Sequence, residues 1–348
     1  MKSPNAPTGS PKIEAKDGGL SGRRPRMAGG ILRRPEAGGA ISAILVFAFF
    51  AILAGNSGFL SPLGTAYWFD TASELGIIAV PVGMLMIGGE FDLSVGAVVG
   101  ATSMIVAICS GFFGLPGWVG VSIAAVVGAG IGLINGMIVV RTRLPSFIVT
   151  LSTMLMVTGG VLGISIALTG SSSISAIPSD FVGAVFAFKW QEFHISIVHW
   201  AIIVGVAIWV MERTEFGNWV YATGGNLQTA RLAGVPTDRV KIILFVCSSL
   251  GGVLVGIIET FNFQNGSITL GAQYVFSGIA ACVIGGVLLT GGYGSLLGTA
   301  FGAVTYGIVS LGVFFLGWNA DLTELFIGLL LLLAVIANNR LRTIAMGA

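Results

Sequence analysis

The chain has 348 residues, of which 55% are hydrophobic and only 9% charged, and its formal net charge is +2. Soluble domains carry about 25% charged residues, so this composition excludes an ordinary soluble protein. Apolar segments recur from Ile41 onward, and they have the roughly 17–25 residues needed to cross a hydrocarbon core of about 30 Å. The sequence therefore predicts an all-α polytopic membrane protein.

The first predicted element is a tail over residues 1–39, which is rich in glycine, proline and basic residues and has the composition of a disordered segment. A membrane domain over 40–338 follows, and 339–348 form a C-terminal tail. Ten spans are predicted, near residues 40–60, 72–89, 94–111, 118–140, 147–168, 195–211, 241–259, 274–290, 294–316 and 321–337. The break at Glu90–Leu93 is very short, so eight or nine spans are the alternatives.

The lysines and arginines predict the orientation of these spans, because cytoplasmic loops carry an excess of both residues. With ten spans and a cytoplasmic N-terminus, every lysine and arginine except Lys189 lies on the cytoplasmic face. Both termini and the loop over 212–241 are therefore expected in the cytoplasm. The long loop over 169–194 is expected on the outer face.

Glycines spaced four residues apart occur in three of the predicted spans. The fourth span contains GAGIGLING at 128–136, the ninth contains GSLLGTAFG at 294–302, and the third contains Gly96 and Gly100. Small residues at this spacing let helix backbones approach closely inside a membrane. If spans two to five and seven to ten were an inverted repeat, spans four and nine would be equivalent, and the shared stripes favour that arrangement.

Two carboxylates, Glu90 and Asp92, interrupt apolar sequence between the second and third spans. Asp92 followed by Leu93, Ser94 and an apolar run predicts an N-cap, in which the carboxylate accepts free N–H groups of the first helical turn. A gating role for Asp92 and Ser94 is the main alternative, and a role in carrying protons is another.

Glu259 lies eighteen residues after Lys241, which corresponds to roughly 27 Å along a helix. This distance places Glu259 at the periplasmic mouth of the seventh span, with Asn262 just beyond it. The prediction is a solvated rim carboxylate; the alternative is contact with a docking partner or with substrate hydroxyl groups.

The sequence lacks the usual signatures of an enzyme. It contains no G-x-x-x-x-G-K-[ST] phosphate loop, no HExxH and no cysteine–histidine cluster. His194 and His199 are five residues apart, a poor spacing for joint metal ligation on a helix. No catalytic residue, metal or cofactor is therefore expected in this chain, and ATP-driven transport would require a separate ATP-binding subunit.

A short hydrophilic helix is predicted within TGGNLQTARLAGVPTDRVK at 223–241. Asn226 is suited to the N-cap, Gly234 to the left-handed position that ends a helix, and Pro236 cannot continue the helix. One or two turns are not stable alone in water, so this helix must pack against its own membrane domain or against a partner.

Several ordered motifs resemble those of permease subunits of bacterial ABC importers for ribose and related monosaccharides. They are GGEFDLSVGA at 88–97, GLINGMIVVRTRLPSFIVTLSTM at 132–154, ATGGNLQTARLAGVPTDRVK at 222–241 and GGYGSLLGTAFGA at 291–303. The resemblance extends from about residue 40 to 338. It implies a type II importer-like fold in the bacterial inner membrane.

The resemblance also implies that the capped helix is a coupling helix, seated in a groove of a cytoplasmic ATP-binding subunit that supplies ATP and Mg²⁺. The residues placed at that contact are Asn226, Ala230, Arg231, Gly234 and Val235. Thr229 departs from the alanine that is usual in the family, and Glu90 adds a charge beside Asp92. Further implied partners are a periplasmic solute-binding protein, a second permease copy or a paralogue, and membrane lipid, but no nucleic acid.

The function implied by the resemblance is inward passage of a monosaccharide or related polyol. Three alternatives stay open at this point: a branched-chain amino acid permease, an ion-coupled secondary transporter that uses Glu90 and Asp92, and a membrane scaffold without transport activity. The sequence does not identify the solute, because specificity in such systems can reside in the binding protein.

Overall fold

The computed structural model describes residues 35–175, 177 and 181–345, with side chains to Ile336. The helices are α1 (Pro35–Ala54), α2 (Pro62–Ile87), α3 (Val95–Ala107), α4 (Gly117–Thr142), α5 (Ser146–Thr169), α6 (Phe181–Phe186), α7 (Ser196–Arg213), α8 (Glu215–Gly225), α9 (Leu227–Leu232), α10 (Thr237–Phe263), α11 (Tyr274–Ile284), α12 (Leu296–Phe315) and α13 (Leu322–Ala345). Short antiparallel pairs join β1 (Ser173–Ser175) to β4 (Asn265–Ser267) and β2 (Lys189–Trp190) to β3 (Phe193–His194).

Eight helices in the described part of the chain are long and apolar enough to cross a membrane. Two shorter apolar helices, Ile268–Ile284 and Leu322–Ile336, occupy the positions of the predicted eighth and tenth spans. The all-α polytopic class is confirmed. Residues 1–34 of the predicted N-terminal tail lie outside the described residues, whereas residues 35–39 belong to α1. The predicted C-terminal tail begins within α13, which continues to Ala345.

The eighth predicted span is shorter than expected. It was predicted to continue to residue 290, but α11 ends at Ile284 and an irregular turn follows up to Ser295. Glycines interrupt the apolar sequence there, and Gly286 adopts a positive φ of 96° that a side chain would disfavour. Hydropathy alone therefore overestimated the length of this helix.

The most buried helices are α2, α3, α10, α11 and α12, whereas α1, α4, α5 and α7 have few fully buried residues. The packing partners of α2–α5 and α10–α13 correspond. In the first half α3 and α4 pack on α10, the long helix of the second half. In the second half α11 and α12 pack on α2, the long helix of the first half. The α3–α4 and α3–α5 contacts also have counterparts in α11–α12 and α11–α13. This exchange of partners is the arrangement that a structural repeat predicts.

The glycine stripe of α4 forms a helix-packing face, as predicted. A Cβ atom at Gly132 would lie 2.6 Å from the Phe245 carbonyl oxygen of α10, whereas Gly130 has no atom within 4 Å of such a position. The stripe at 294–302 faces the end of α11, but Gly294 precedes α12, which begins after the cap residue Ser295. Close backbone approach therefore fixes α4 against α10.

Candidate functional site

The capped helix predicted within 223–241 is present as α9. The Asn226 side chain accepts a hydrogen bond from the Thr229 amide at 3.0 Å, which confirms the N-cap. Gly234 has a φ of 82°, and the Val235 amide donates to the Ala230 carbonyl at 3.0 Å. Both ends of this short helix are therefore fixed by its own sequence.

The two faces of α9 have different environments. Ala230 is only 4% exposed, so it anchors the helix inside the chain and does not lie on the free surface. Leu232 is 90% exposed, and the exposed Gln228 lies one turn before it. Residues four apart lie on the same face of a helix, so Leu232 and Gln228 together form an accessible face.

Arg231 connects α9 to α10. Its Nε donates to the Thr237 hydroxyl at 3.0 Å, and a terminal guanidinium nitrogen lies 2.5 Å from the Asp238 carboxylate in the first turn of α10. Arg231 was predicted as a partner contact on the basis of resemblance. In this structure its polar groups are bound within the chain, and they hold α9 in place.

Three of the motifs that carry the resemblance meet in what we term the glycine junction, formed by Gly89, Gly224, Gly225, Gly291 and Gly292. A Cβ atom at Gly224 would lie 1.8 Å from the Ile87 carbonyl oxygen. That oxygen accepts a hydrogen bond from the Gly292 amide at 2.8 Å. Such close approach requires glycine, and it attaches the end of α8 to the end of α2 and to the turn before α12.

Tyr221 of α8 strengthens this attachment, because its hydroxyl donates to the Gly294 carbonyl at 3.1 Å. Burial raises the pKa of the Tyr221 phenol, and the negative charges of Glu212 and Glu36 raise this pKa further. The phenol therefore remains protonated, and it acts as a donor, at neutral pH.

Asp92 is the centre of a buried hydrogen-bond network, which we call the Asp92 network. One carboxylate oxygen accepts the Ser94 amide at 2.9 Å and the Ser94 hydroxyl at 2.6 Å, and the other accepts the Ser248 hydroxyl of α10 at 2.8 Å. The predicted N-cap assignment needs correction, because Ser94 occupies the cap position before Val95. The Asp92 carboxylate nevertheless accepts backbone N–H groups at the start of α3, those of Ser94 and Val95, as predicted.

The Asp92 network extends into α4 and α5. The Asn135 side-chain amide donates to the Ser94 hydroxyl at 2.9 Å, and the Thr153 hydroxyl donates to the Asn135 carbonyl oxygen at 2.6 Å. The Leu93 amide is also bound, at 3.1 Å, by the Thr150 hydroxyl. Side chains from α4, α5 and α10 therefore provide hydrogen-bond partners for the polar groups between α2 and α3.

Glu90 forms an ion pair with Lys241 of α10, and both side chains are largely buried. The sequence suggests Glu90 only as part of an ion-coupled alternative, and it predicts Lys241 at the end of the loop over 212–241. The structure places Lys241 in the second turn of α10, next to the turn that follows α2. The only feature of the sequence that points to this ion pair is an acidic and a basic residue at the ends of two different apolar segments.

Glu259 is only 2% exposed, so the predicted solvated rim is wrong. Because α10 continues to Phe263 and Tyr274 packs beside it, the carboxylate is enclosed; the Tyr274 hydroxyl donates to Glu259 Oε1 at 2.6 Å. The same hydroxyl lies 3.4 Å from Glu74 Oε2 of α2, and the Asn262 amide nitrogen lies 3.4 Å from Glu74 Oε1. Glu74 is not among the residues predicted from the sequence, because nothing near it along the chain links it to Glu259.

These groups line a cavity of about 650 Å³ between α2, α10, α11 and α12, which we call the Glu259 cavity. Its lining residues are Thr71, Glu74, Leu75, Glu259, Phe263, Thr269, Leu270, Ala272, Gln273, Tyr274, Ser277, Tyr306 and Ser310. Glu259 Oε2 is buried and has no hydrogen-bond partner among the residues that the structure describes. The Glu259 cavity is therefore lined by a carboxylate with one buried oxygen that lacks a donor in the described part of the chain.

The two histidines do not form a joint site. His194 Nδ1 lies 2.5 Å from the Asp70 carboxylate, whereas the His199 ring stacks on Phe186. Within the described residues, no group of three histidine, cysteine or acidic side chains is placed to hold a metal ion.

The described helices form an all-α polytopic membrane protein with polar breaks and a polar cavity, features that occur in many membrane transporters. A family model described as "Branched-chain amino acid transport system / permease component" matches residues 64–335, which is most of the chain. The chain therefore belongs to this family of transport-system permease components.

Individual relatives agree with this assignment. The chain is 32% identical to the fructose import permease protein of Rhizobium meliloti, over 88% of this chain and 85% of that protein. It is also 32% identical to the ribose import permease protein of Escherichia coli K12, over 76% of this chain and 82% of the relative. An inner membrane ABC transporter permease protein of the same strain is 29% identical over 84% of this chain and 88% of its own length.

Proposed function

We propose that this chain is the membrane-spanning subunit of an ABC importer that passes a monosaccharide or related polyol inward across the bacterial inner membrane. Two of the relatives are named for fructose and ribose, and the similarity covers most of each chain. The observation that carries the proposal is the glycine junction, where three of the resembling motifs meet and seat α9 against the membrane helices.

In this proposal, α9 is the coupling helix that contacts a cytoplasmic ATP-binding subunit. Leu232 and Gln228 form its docking face, with Asn226, Gly234 and Val235 shaping the two ends. Movement of α9 would reach α10 through the Arg231–Asp238 pair. It would reach α2 through the glycine junction. Differential contact of the partner with α9 would thereby favour one conformation of the bundle over another.

The other partners follow from the same proposal. The chain has no phosphate-binding loop, so ATP and Mg²⁺ would be bound by the partner. A periplasmic binding protein would deliver the solute. A second copy of this chain or a paralogue would complete the pathway, with both termini in the cytoplasm.

The test is uptake by the complete importer reconstituted into proteoliposomes, with ATP enclosed and the binding protein outside. We expect accumulation of radiolabelled ribose or fructose that requires ATP and is insensitive to ionophores. Accumulation of leucine but not of sugars would support the branched-chain amino acid alternative, which the family description itself names. Sugar uptake that ionophores abolish and ATP does not support would overturn the ABC assignment.

A further inference from the structure

One of the carboxylates that line the Glu259 cavity has a buried, unsatisfied oxygen. Tyr274 occupies one oxygen of Glu259, and the other oxygen, Oε2, has no partner in the described part of the chain. A buried acceptor without a donor is costly, and native proteins normally pair such atoms. The volume of about 650 Å³ lies within the 300–1,000 Å³ that is typical of small-molecule pockets.

We infer that the Glu259 cavity binds the transported solute through its hydroxyl groups, with Glu259 Oε2 as an acceptor. This inference rests on the proposed function, and it specifies where within this chain the solute is held. A solute hydroxyl would donate to the free oxygen of Glu259, while Glu74 offers a second carboxylate beside the same phenol.

The lining of the cavity favours a neutral polyol. Tyr274 and Tyr306 provide ring surfaces for the C–H faces of a sugar, and Thr71 and Ser310 provide hydroxyl groups. Lysine, arginine and histidine are absent from the described lining, so the carboxylate of an amino acid would meet no cationic partner there.

Glu259→Gln tests this role with little change in shape. The glutamine carbonyl oxygen can still accept the Tyr274 hydroxyl, but a neutral amide donor replaces Oε2, so the solute hydroxyl loses the stronger hydrogen bond that it would donate to a carboxylate oxygen. We expect the affinity of the purified full-length chain for radiolabelled ribose or fructose, whichever the wild-type importer accumulates, to fall at least tenfold. Glu192→Gln, an exposed carboxylate outside the cavity, is the control and should bind like wild type.

A second measurement does not depend on the folding of the Glu259 variant. A Ser310→Cys chain should react with a small maleimide, and saturating sugar should slow this reaction at least threefold. The inference would be overturned if Glu259→Gln bound sugar as well as wild type, or if sugar did not slow the labelling of Ser310→Cys. Sugar uptake by the wild-type importer would still support the proposed function in either case. If the wild-type importer accumulates no sugar at all, the proposed function itself fails.

Discussion

The Asp92 network and the Glu259 cavity each contain a buried carboxylate near the end of a long buried helix: Asp92 follows the end of α2, and Glu259 lies in the last turns of α10. In the Asp92 network both carboxylate oxygens are bound by hydroxyl or amide donors. In the Glu259 cavity one oxygen is bound by Tyr274 and the other is free. A satisfied buried carboxylate fixes structure, whereas an unsatisfied one beside a cavity is available for binding.

The largest expected difference between these regions is in stability. Asp92→Ala leaves the Ser94 and Ser248 donors unpaired inside the protein, so we expect a loss of about 3–5 kcal/mol. Glu259→Ala removes a carboxylate of which only one oxygen is bound. The variant leaves the Tyr274 hydroxyl without its acceptor, which should reduce the free energy of unfolding by about 1–3 kcal/mol. Thermal unfolding of the detergent-purified chains compares the two. Equal losses would contradict the structural distinction between the regions.

The Glu90–Lys241 pair next to the Asp92 network should also contribute to stability. Lys241→Met leaves the Glu90 carboxylate buried without its cation, and we expect a loss of about 1.5–3 kcal/mol. Adding Glu90→Gln to the same chain should recover part of that loss, because no uncompensated charge then remains. The four chains form a double-mutant cycle. Strictly additive losses would mean that the two side chains do not interact.

A smaller effect is expected where α4 positions Asn135 for the Asp92 network. Gly132→Ala places a methyl group against the Phe245 carbonyl of α10, and we expect a loss of about 1–3 kcal/mol. Gly130→Ala in the same helix meets nothing within 4 Å and should be neutral or stabilising by up to about 1 kcal/mol. Unfolding midpoints measure both. The same destabilisation in both variants would exclude close α4–α10 packing as the cause.

Substitution at the glycine end of α9 should abolish transport while the chain still inserts into the membrane. Gly234→Leu adds a side chain at a φ of 82° beside the proposed docking face, and we expect ATP-driven uptake to be lost while membrane insertion remains normal. Gly170→Leu places the same side chain at another positive-φ helix end, after α5, and should retain uptake. Normal uptake by Gly234→Leu would remove the case for α9 as the coupling helix.

Sequence patterns anticipated the features that depend on neighbouring residues. The cap of α9, its glycine end and the α4 stripe depend on residues within a few turns of one another, and all three are present. The patterns did not reveal that Glu259 meets Tyr274 and Glu74, because those three residues come together only through the packing of α2, α10 and α11. Distance along a helix placed Glu259 near one end of α10, but its burial depends on what packs beside that end.

The most direct test of the proposed importer is purification of the tagged chain from its native membrane in mild detergent, followed by mass spectrometry of the proteins bound to it. We expect a stoichiometric ATP-binding subunit that is lost with Leu232→Glu. Trp190→Glu is the control, because it adds the same charge to an exposed apolar residue in the 169–194 loop, which the sequence predicts on the opposite face. Recovery of the chain without any ATP-binding subunit, or equal recovery of that subunit with Leu232→Glu, would contradict the assignment of α9 as its docking site.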